Sequence, residues 1–181
     1  TLLVTSNTSP PGVTIVFPDT LDCLTTQIQL NASTIPLVGI SLNWTGPPGS
    51  ILNGGTSQNP SIGSPGWYVI TALDTNNLCV AMDSVLAIQD IVAPMISIVA
   101  ADSLDCNTST LTLDASSSSP AGRITFTWST PNGMFVSGST TANPVVNAGG
   151  TYVLVLTDII NGCTATQMVV VFQDPGLLSA S

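Results

Sequence analysis

The sequence contains no lysine, no glutamate and no histidine, and Arg123 is the single cationic side chain among its 181 residues. Lys, Arg and Glu normally cover the exposed faces of helices, so their scarcity argues against a helical protein. Phosphate recognition requires Lys and Arg. With a net charge of −9, the chain is therefore not expected to bind nucleic acid.

The absence of His and Lys also leaves few groups for catalysis. Asp, Tyr, Ser and Thr are the remaining candidates for proton transfer or nucleophilic attack. All ten acidic residues are Asp, and several of them recur at equivalent positions of an internal repeat, as structural residues do. We therefore predict no enzymatic activity and no catalytic residue.

Long apolar runs are missing as well, although 44% of the residues are hydrophobic. The longest stretches, such as residues 91–101, stay below the roughly 18–20 residues that a membrane-spanning helix needs. No basic segment precedes the short apolar stretch at residues 2–4, so no signal peptide is predicted. We expect no membrane insertion, and a chain that is mature or excised from something longer.

The abundant residues are typical of strands and turns. Apolar and polar residues alternate with a period of two at 27–31 and 110–114, which predicts strands with one buried face. Turn pairs such as Asn132-Gly133 and Asn161-Gly162 bound the strands, and short strands at this spacing predict a sandwich or a barrel. In chain order the predicted strands are residues 13–17, 27–31, 40–45, 67–74, 80–88, 95–100, 110–114, 123–129, 151–158 and 164–172.

An internal repeat decides between one domain and two. Residues 20–23 recur at 103–106 with an offset of 83, and later matches keep an offset of 84, which requires one slipped residue between them. This constant register predicts two copies of one all-β sandwich domain, at residues 11–92 and 93–175, followed by a linker at 176–181. The matched pairs are Trp44 and Trp128, Pro60 and Pro144, Tyr68 and Tyr152, Asp74 and Asp158, Cys79 and Cys163, Gln89 and Gln173, and Asp90 and Asp174.

Residues 1–9 align with residues 84–92 at an offset of 83. We assign residues 1–10 to the last strand of a preceding repeat, so that the chain is a fragment of a longer array. The alternative is a donor strand that completes a neighbouring subunit by strand addition.

Each copy carries two cysteines at equivalent positions. An even count of this kind predicts disulfides within each domain, formed in an oxidising compartment, which join Cys23 to Cys79 and Cys106 to Cys163. A metal site is the alternative, but two cysteines without any histidine make a poor zinc site.

The motifs around the tyrosines resemble those of PKD-like domains. Residues 65–70 and 149–158 are similar to the family signature, in which Gly-x-Tyr is followed by apolar residues and an Asp. The pattern from Leu21 to Asp90 resembles tandem repeats in giant cell-surface proteins of the Bacteroidota, including gliding-motility adhesins. The resemblance implies two immunoglobulin-like sandwiches on a bacterial cell surface. The acidic motif that follows the family's Trp is replaced after Trp44 and Trp128, so its properties are not carried over.

The aromatic residues of the two copies are interpreted as structural. We expect Trp44 and Trp128 in the cores, with carbohydrate stacking as the alternative. Tyr68 and Tyr152 lie eleven residues before the next cysteine, whereas an antibody-type tyrosine corner has two. We therefore predict that neither tyrosine forms such a corner.

No cofactor is predicted, and calcium is the one open question. Asp90 at the expected domain junction and the nearby Asp102 are weak calcium candidates, because Asp and carbonyl oxygens bind this ion. The other acids near the domain ends, Asp19, Asp22 and Asp105, are interpreted as turn caps.

The resemblance also implies O-glycosylation, which in the Bacteroidota modifies Ser or Thr between Asp and an apolar residue. Three residues fit that pattern: Thr20, Ser84 and Ser103. Sugars would shield a surface that carries almost no charge. There are four Asn-x-Ser/Thr sequons, at Asn7, Asn31, Asn43 and Asn107, and most of them are expected to stay unmodified in a bacterial protein.

The sequence as a whole indicates a non-enzymatic segment of the stalk or fibre of a secreted, extracellular adhesin. Its expected partners are neighbouring repeats or identical subunits, and surface glycans. One alternative is a filament subunit linked by strand addition through residues 1–9. The other is a carbohydrate-binding module that uses Trp67, whose counterpart in the second copy is Thr151.

Overall fold

The computed structural model describes residues 7–99 and 103–174, and the chain divides into two compact units, Thr1–Ile91 and Val92–Ser181. All regular secondary structure in the described residues is β-strand, and none of these residues forms a helix able to cross a membrane. The predicted fold class, two tandem immunoglobulin-like sandwiches, is confirmed. Asp102, residues 1–6 of the predicted first strand and the predicted linker at 176–181 lie outside the described residues.

The first unit is a sandwich of two antiparallel three-stranded sheets. One sheet has the order β5-β8-β9 and the other β3-β7-β6; β1 pairs with β4, and β2 pairs with β10 in parallel. The strands are β1 Gly12–Val16, β2 Leu21–Asp22, β3 Ile28–Gln29, β4 Asn31–Ile35, β5 Ile40–Thr45, β6 Ile51–Asn53, β7 Ser61–Ile62, β8 Gly66–Asp74, β9 Val80–Ala87 and β10 Gln89–Asp90.

The second unit repeats this plan with sheets of order β12-β15-β16 and β11-β14-β13. A bridge between Leu104 and Gln173 takes the place of the parallel pair β2–β10. The strands are β11 Leu111–Thr112, β12 Ile124–Ser129, β13 Phe135–Ser137, β14 Val145–Val146, β15 Gly150–Asp158 and β16 Thr164–Val171.

The one-residue slip of the repeat lies where β1 pairs with β4 in the first unit. There the ladder runs from Gly12–Ile35 to Val16–Asn31. In the second unit the matching segments meet only at two isolated bridges, Met95–Ser119 and Val99–Asp114. Between the two bridges, Asp114 to Ser119 spans five residue steps, whereas Met95 to Val99 spans four. The extra residue in the longer segment interrupts the ladder as a bulge does. Within residues 95–99, the described part of the strand predicted at 95–100, these two bridges replace a continuous ladder for this reason.

The core of each unit lies between its two sheets. Alternate residues of β8 and β15 point inward, and Tyr68, Ile70, Tyr152 and Leu154 are fully buried. Complete burial of a side chain of this size stabilises the fold by about 2–3 kcal/mol.

Trp44 and Trp128 are core residues, as predicted, and each is 4% exposed. The indole Nε1 of Trp44 donates to the carbonyl oxygen of Ser57 at 2.9 Å, and that of Trp128 donates to Thr141 at 3.0 Å. A buried indole N–H needs such a partner, so both rings are fixed by packing and by one hydrogen bond.

The tyrosines make the hydroxyl bond of a tyrosine corner, although their spacing to the next cysteine is not that of the antibody type. Tyr68 lies near the start of β8, and its hydroxyl donates to the carbonyl oxygen of Ser64 at 2.7 Å. Tyr152 makes the same bond to Ala148 at 2.7 Å. This return of the hydroxyl to the backbone a few residues upstream defines the corner. The next cysteine lies eleven residues further on and not two, so the cysteines occupy other places than those of an antibody domain.

Candidate functional site at the two ends of each domain

The chain enters each domain beside the hairpin that carries a cysteine. The Nδ2 atom of Asn77, between β8 and β9, donates to the carbonyl oxygen of Ser9 at 2.9 Å. Asn161, between β15 and β16, donates to the carbonyl oxygen of Val92 at 3.0 Å. Ser9 and Val92 are equivalent at an offset of 83. We call this end of each domain the incoming end.

The same asparagines position the cysteines of the incoming ends. The backbone N–H of Cys79 donates to Oδ1 of Asn77 at 2.8 Å, and that of Cys163 donates to Oδ1 of Asn161 at 2.9 Å. Each amide thus holds both the arriving backbone and the cysteine two residues further on. The two attachments recur in both copies, so they belong to the repeat itself.

The chain leaves each domain at its opposite end, beside the other cysteine. In the first unit β2 pairs in parallel with β10, and the N–H of Leu21 donates to the carbonyl oxygen of Ile88 at 3.0 Å. In the second unit Leu104 donates to Phe172 at 2.8 Å. The cysteine follows two residues after each of these leucines. We call this the outgoing end.

An Asx turn holds each cysteine of the outgoing ends. Oδ1 of Asp22 accepts the N–H groups two and three residues further on, at 2.9 and 2.6 Å, and Oδ1 of Asp105 does the same at 2.8 and 2.7 Å. The backbone hydrogen bond from Thr108 is the largest cause that lowers the pKa of Asp105. The interpretation of Asp22 and Asp105 as turn caps is confirmed. Cys23 and Cys106 therefore sit in rigid turns.

Cys79 and Cys106 carry free thiols, while Cys23 and Cys163 each take part in a disulfide. The predicted pairs within each copy, Cys23 with Cys79 and Cys106 with Cys163, are therefore wrong.

The reason is that each domain keeps its two cysteines at opposite ends. Cys79 immediately precedes β9, while Cys23 lies beyond the far end of that strand, past the bond from Leu21 to Ile88. A strand of eight residues spans about 23 Å, and a disulfide tolerates a Cα–Cα separation of only about 7 Å. The strand β16 separates the cysteines of the second domain in the same way.

The single cation pairs with a buried acid, which the sequence argument did not foresee. Arg123 Nε donates to Asp158 Oδ1 at 2.9 Å, and a terminal guanidinium nitrogen lies 2.6 Å from Oδ2. This hydrogen bond is the largest cause that lowers the pKa of Asp158. Gly39 occupies the equivalent place in the first unit, where its carbonyl oxygen accepts from Thr75 at 2.8 Å. The signal available in the sequence was the lone cation itself, which needs an acid partner.

Of the calcium candidates, Asp90 belongs to no larger cluster of acids in the described residues. Asp90 lies in β10 beside Asp22, and Asp102 lies outside the described part of the chain. Within residues 7–99 and 103–174, no three or more Cys or Asp residues form a group that could hold a metal ion.

The glycosylation candidates differ in exposure. Ser84 and Ser103 are exposed, and Thr20 is half-buried. Asp83, the acid of one motif, has a structural role: its Oδ2 accepts the N–H of Ile15 in β1 at 2.9 Å, and its Oδ1 accepts the N–H of Ser84 at 2.8 Å. The four sequon asparagines, Asn7, Asn31, Asn43 and Asn107, are all exposed.

The carbohydrate-binding candidate Trp67 is 62% exposed and lies opposite Leu86, which is 40% exposed, on the outer face of the β5-β8-β9 sheet. Its counterpart Thr151 pairs with Val170 in the second unit. The exposed indole face is thus confined to the first domain.

No protein-family model and no curated protein matches the chain. Many solved structures are similar to it, and three of them are named here. The first is the three N-terminal domains of the highly immunogenic outer capsid protein of bacteriophage RB49, with 11% sequence identity, coverage of 91% of this chain and 59% of that chain, and a TM-score of 0.47. The second is the extracellular domains 3–5 of Drosophila OTK, with 10% identity, coverage of 90% of this chain and 62% of that chain, and a TM-score of 0.44. The third is a C-terminal intimin fragment in complex with the intimin-binding domain of its translocated receptor, with 13% identity, coverage of 88% of this chain and 64% of that chain, and a TM-score of 0.40.

The chain spans about three fifths of the length of the first two structures. At these identities the likeness concerns the fold alone. The sheets, the cores and the paired tyrosine corners make this chain a tandem of two immunoglobulin-like β-sandwich domains.

Proposed function

We propose that the chain is a non-enzymatic structural segment of an extracellular stalk or fibre, built from immunoglobulin-like domains joined in series. The placement of the incoming and outgoing ends at opposite poles of each domain carries this proposal. A domain whose two chain ends lie a strand length apart adds that length to any array in which it is repeated. The proposed work is mechanical, namely to hold a distal binding region away from the cell.

Three further observations support an exposed location. Disulfide-bonded cysteines belong to oxidising compartments. Trypsin has a single cleavage site, at Arg123, whose side chain is tied to Asp158. The resemblance to Bacteroidota repeats makes a bacterial surface adhesin the specific form of the proposal, with neighbouring repeats or identical subunits as partners.

Sugars are the proposed cover for the outer strands. Met82, Met168 and Phe172 are 66%, 67% and 70% exposed, and the surface offers few charges to oppose association. A glycan on Ser84 would lie near the exposed Met82 of β9. A glycan on Ser103 would lie near the outgoing end of the second domain. The intact mass of native material tests this proposal, because hexose increments are expected and the unmodified chain mass would contradict it.

Electron microscopy of native material, together with sedimentation of the chain, tests the stalk. Under reducing conditions at micromolar concentration, we expect a monomer, and in native material we expect thin rods or fibres of linked domains. Assembly under reducing conditions that is lost when residues 1–9 are deleted would instead favour strand addition. Isolated compact particles in native material would contradict both.

The exposure of Trp67 favours a second candidate, a carbohydrate-binding surface on the first domain. Aromatic faces that are open to solvent can stack on sugar rings. Titration with surface glycans while tryptophan fluorescence is recorded tests this candidate. Binding that Trp67→Ala removes and Thr151→Ala preserves supports it, and an unchanged signal across the glycans contradicts it.

A further inference from the structure

The first domain exposes an unbroken apolar segment where the chain passes from β4 to β5. Ile35, Leu37 and Val38 are 77%, 78% and 79% exposed, and Pro36 between them is exposed as well. We call residues 35–38 the apolar loop. Single exposed apolar side chains are ordinary on a protein surface, whereas a contiguous group of them marks an interaction surface.

The equivalent segment of the second domain shows that the fold does not require an apolar loop. At the offset of 84, residues 35–38 correspond to residues 119–122, whose sequence is Ser-Pro-Ala-Gly. The second domain nevertheless builds sheets of the same plan. It also follows another domain in the chain, so a preceding repeat does not by itself call for large apolar side chains at this place. The apolar loop therefore serves a purpose that is particular to the first domain.

A buried acid lies next to the apolar loop. The carbonyl oxygen of Gly39, the residue after the loop, accepts the N–H and the hydroxyl of Thr75 at 2.8 and 2.9 Å. Asp74 directly precedes Thr75 at the end of β8 and is only 6% exposed. On its other side, the N–H of Leu78 donates to the carbonyl oxygen of Asp74 at 2.8 Å, and the Leu78 side chain is 72% exposed. Asp74 is thus flanked by two exposed apolar segments.

The carboxylate of Asp74 has one bonded oxygen and one open oxygen. Oδ1 accepts the backbone N–H and the side-chain amide of Asn76 at 2.8 and 3.1 Å. Oδ2 receives no hydrogen bond or ion pair from the described residues. Every buried side-chain oxygen or nitrogen among them has a hydrogen-bond partner, so Oδ2 keeps access to solvent. In the second domain, Arg123 bonds both oxygens of the equivalent Asp158, and Gly39 stands in the place of that arginine.

We propose that the incoming end of the first domain binds a partner protein, which places an arginine side chain against Asp74 and covers the apolar loop and Leu78. The guanidinium bonds the open Oδ2, as that of Arg123 bonds Asp158 in the second domain. A planar guanidinium matches a carboxylate better than an ammonium does, because its N–H donors lie in one fork. This recognition goes beyond the structural role proposed above and does not depend on it.

Charge decides which class of partner fits this surface. The chain contains no lysine, and its single arginine is already bonded to Asp158, so a second copy offers no further cationic side chain. The net charge of −9 opposes contact with an anionic membrane, and an open carboxylate beside the apolar loop penalises insertion into lipid. An arginine that is flanked by apolar side chains on another protein matches both the carboxylate and the loop.

A pair of capped tripeptides tests the charge of the ligand. The probe is acetyl-Leu-Arg-Leu-amide, and the control carries citrulline, which has the same shape as arginine but no charge. Each is added at millimolar concentration to the full isotope-labelled chain under reducing conditions, and the NMR shifts of the backbone N–H groups are recorded. We expect the arginine peptide to shift residues 35–40 and 74–78 and to bind at least about tenfold more tightly than the citrulline peptide.

Two variants separate the carboxylate from the apolar loop. Asp74→Asn keeps the oxygen that accepts from Asn76 and removes the charge, so it should weaken the arginine peptide roughly 10- to 100-fold and leave the citrulline peptide unchanged. Leu37→Ser removes an exposed side chain and should weaken both peptides roughly 3- to 10-fold. Met168→Ser, which removes an exposed side chain of the second domain, is the matched control and should change neither affinity.

Several results would overturn the proposal. The first is an absence of shifts at residues 35–40 and 74–78 with the arginine peptide, and the second is equal binding of the two peptides. This second comparison uses the wild type and remains decisive if Asp74→Asn does not fold. Co-sedimentation with phosphatidylcholine vesicles that Leu37→Ser abolishes and Asp74→Asn preserves would assign the loop to a lipid surface instead.

Self-association is the remaining outcome that counts against a separate partner. Shifts at residues 35–40 that grow with the concentration of the chain alone, and that Leu37→Ser removes, would assign the loop to a second copy. None of these results bears on the rods or fibres expected by microscopy of native material, so the binding proposal and the stalk fail separately.

Discussion

At the scale of single residues, Leu78 and Gly162 occupy the same place in equivalent hairpins, but their backbone conformation costs more free energy at Leu78 than at Gly162. Both have a left-handed backbone, with φ of 61° and 67°, and the N–H of each closes its turn on the carbonyl oxygen of Asp74 or Asp158 at 2.8 and 2.9 Å. A residue with a Cβ loses roughly 1–2 kcal/mol in this conformation. The first domain therefore carries a strained residue at the turn that presents Cys79.

Leu78→Gly is expected to raise the free energy of unfolding of the first domain by about 0.5–1 kcal/mol, because the strain exceeds the entropy cost of a glycine. Little packing is lost, since the Leu78 side chain is 72% exposed. The matched Gly162→Ala should lower the stability of the second domain by about 1 kcal/mol. Urea unfolding of the full chain measures the free energy of unfolding of both variants. A Leu78→Gly variant less stable than the wild type would show that the backbone of Leu78 is not strained.

Asp158 connects a single ion pair to the acid stability of the second domain. Its pKa is lowered in the folded state, chiefly by Arg123. The stabilisation is therefore fully present above the unfolded pKa of about 3.9 and is lost as the pH falls through the folded pKa. Arg123→Gln should be less stable than the wild type at about pH 7, and the difference should vanish at about pH 2. The first domain, with Gly39 at this place, serves as the internal reference; a difference independent of pH would contradict the role of Asp158.

At the scale of elements, the two tyrosine corners are equivalent but not equally bonded. The hydroxyl of Tyr152 donates to Ala148 at 2.7 Å and accepts the N–H of Met134 at 3.0 Å, while that of Tyr68 donates to Ser64 at 2.7 Å. Tyr68→Phe should cost about 1 kcal/mol, and Tyr152→Phe about 2 kcal/mol, since it also leaves a donor without its partner. The unfolding midpoints of the two variants measure these losses of stability. Equal losses would mean that the hydrogen bond from Met134 to the Tyr152 hydroxyl contributes nothing.

The loops that cross the tyrosine rings allow no side chain at one position in each domain. A Cβ added to Gly133 would lie 2.5 Å from the Tyr152 ring, and one added to Gly46 would lie 2.5 Å from the Tyr68 ring. Gly133→Ala should therefore destabilise the second domain by about 1–3 kcal/mol. Gly55→Ala is the control, because its nearest neighbour is Ile51 Cγ2 at 3.6 Å. Equal stability of the two variants would show that the ring moves aside.

The strands that could be predicted are those long enough to show a period. Residues 67–74 and 151–158 were predicted, and β8 and β15 begin only one residue earlier. The strands β6 and β7, and their counterparts β13 and β14, were missed because two or three residues show no alternation. They are defined by pairing across the sheet, which sequence periodicity does not report.

In the candidate site, too, the residues could be found from the sequence but their tertiary contacts could not. The sequence supplied the four cysteines and their equivalence, but four cysteines allow three pairings. Only the structure places β9 and β16 between the two cysteines of each domain. The asparagines that hold the incoming backbone were visible in the sequence, but their bonds to Ser9 and Val92 are tertiary contacts with no local signature.

At the scale of the whole molecule, the position of Arg123 means that the rate of cleavage by trypsin measures how often the second domain opens. It is the single residue after which trypsin cleaves, and it lies just before β12 with its guanidinium on buried Asp158. We expect the folded chain to resist trypsin, and Asp158→Asn to be cut faster because the second domain opens more often. Gel analysis over time measures the rate, with Tyr68→Phe as the control in the first domain. Equal rates for wild type and Asp158→Asn would contradict this expectation.

The parallel pairing of β2 with β10 has a consequence for a chain under tension. A pull on the backbone beyond Asp90 draws β10 along β2 in the direction of the strand, while the preceding strand β1 is drawn the opposite way. The hydrogen bonds of this pair are then loaded together, in shear, and none can open before the others. An antiparallel hairpin pulled at its open end would instead unzip one bond at a time. The first domain is thus closed by an arrangement that resists being peeled apart along its own length.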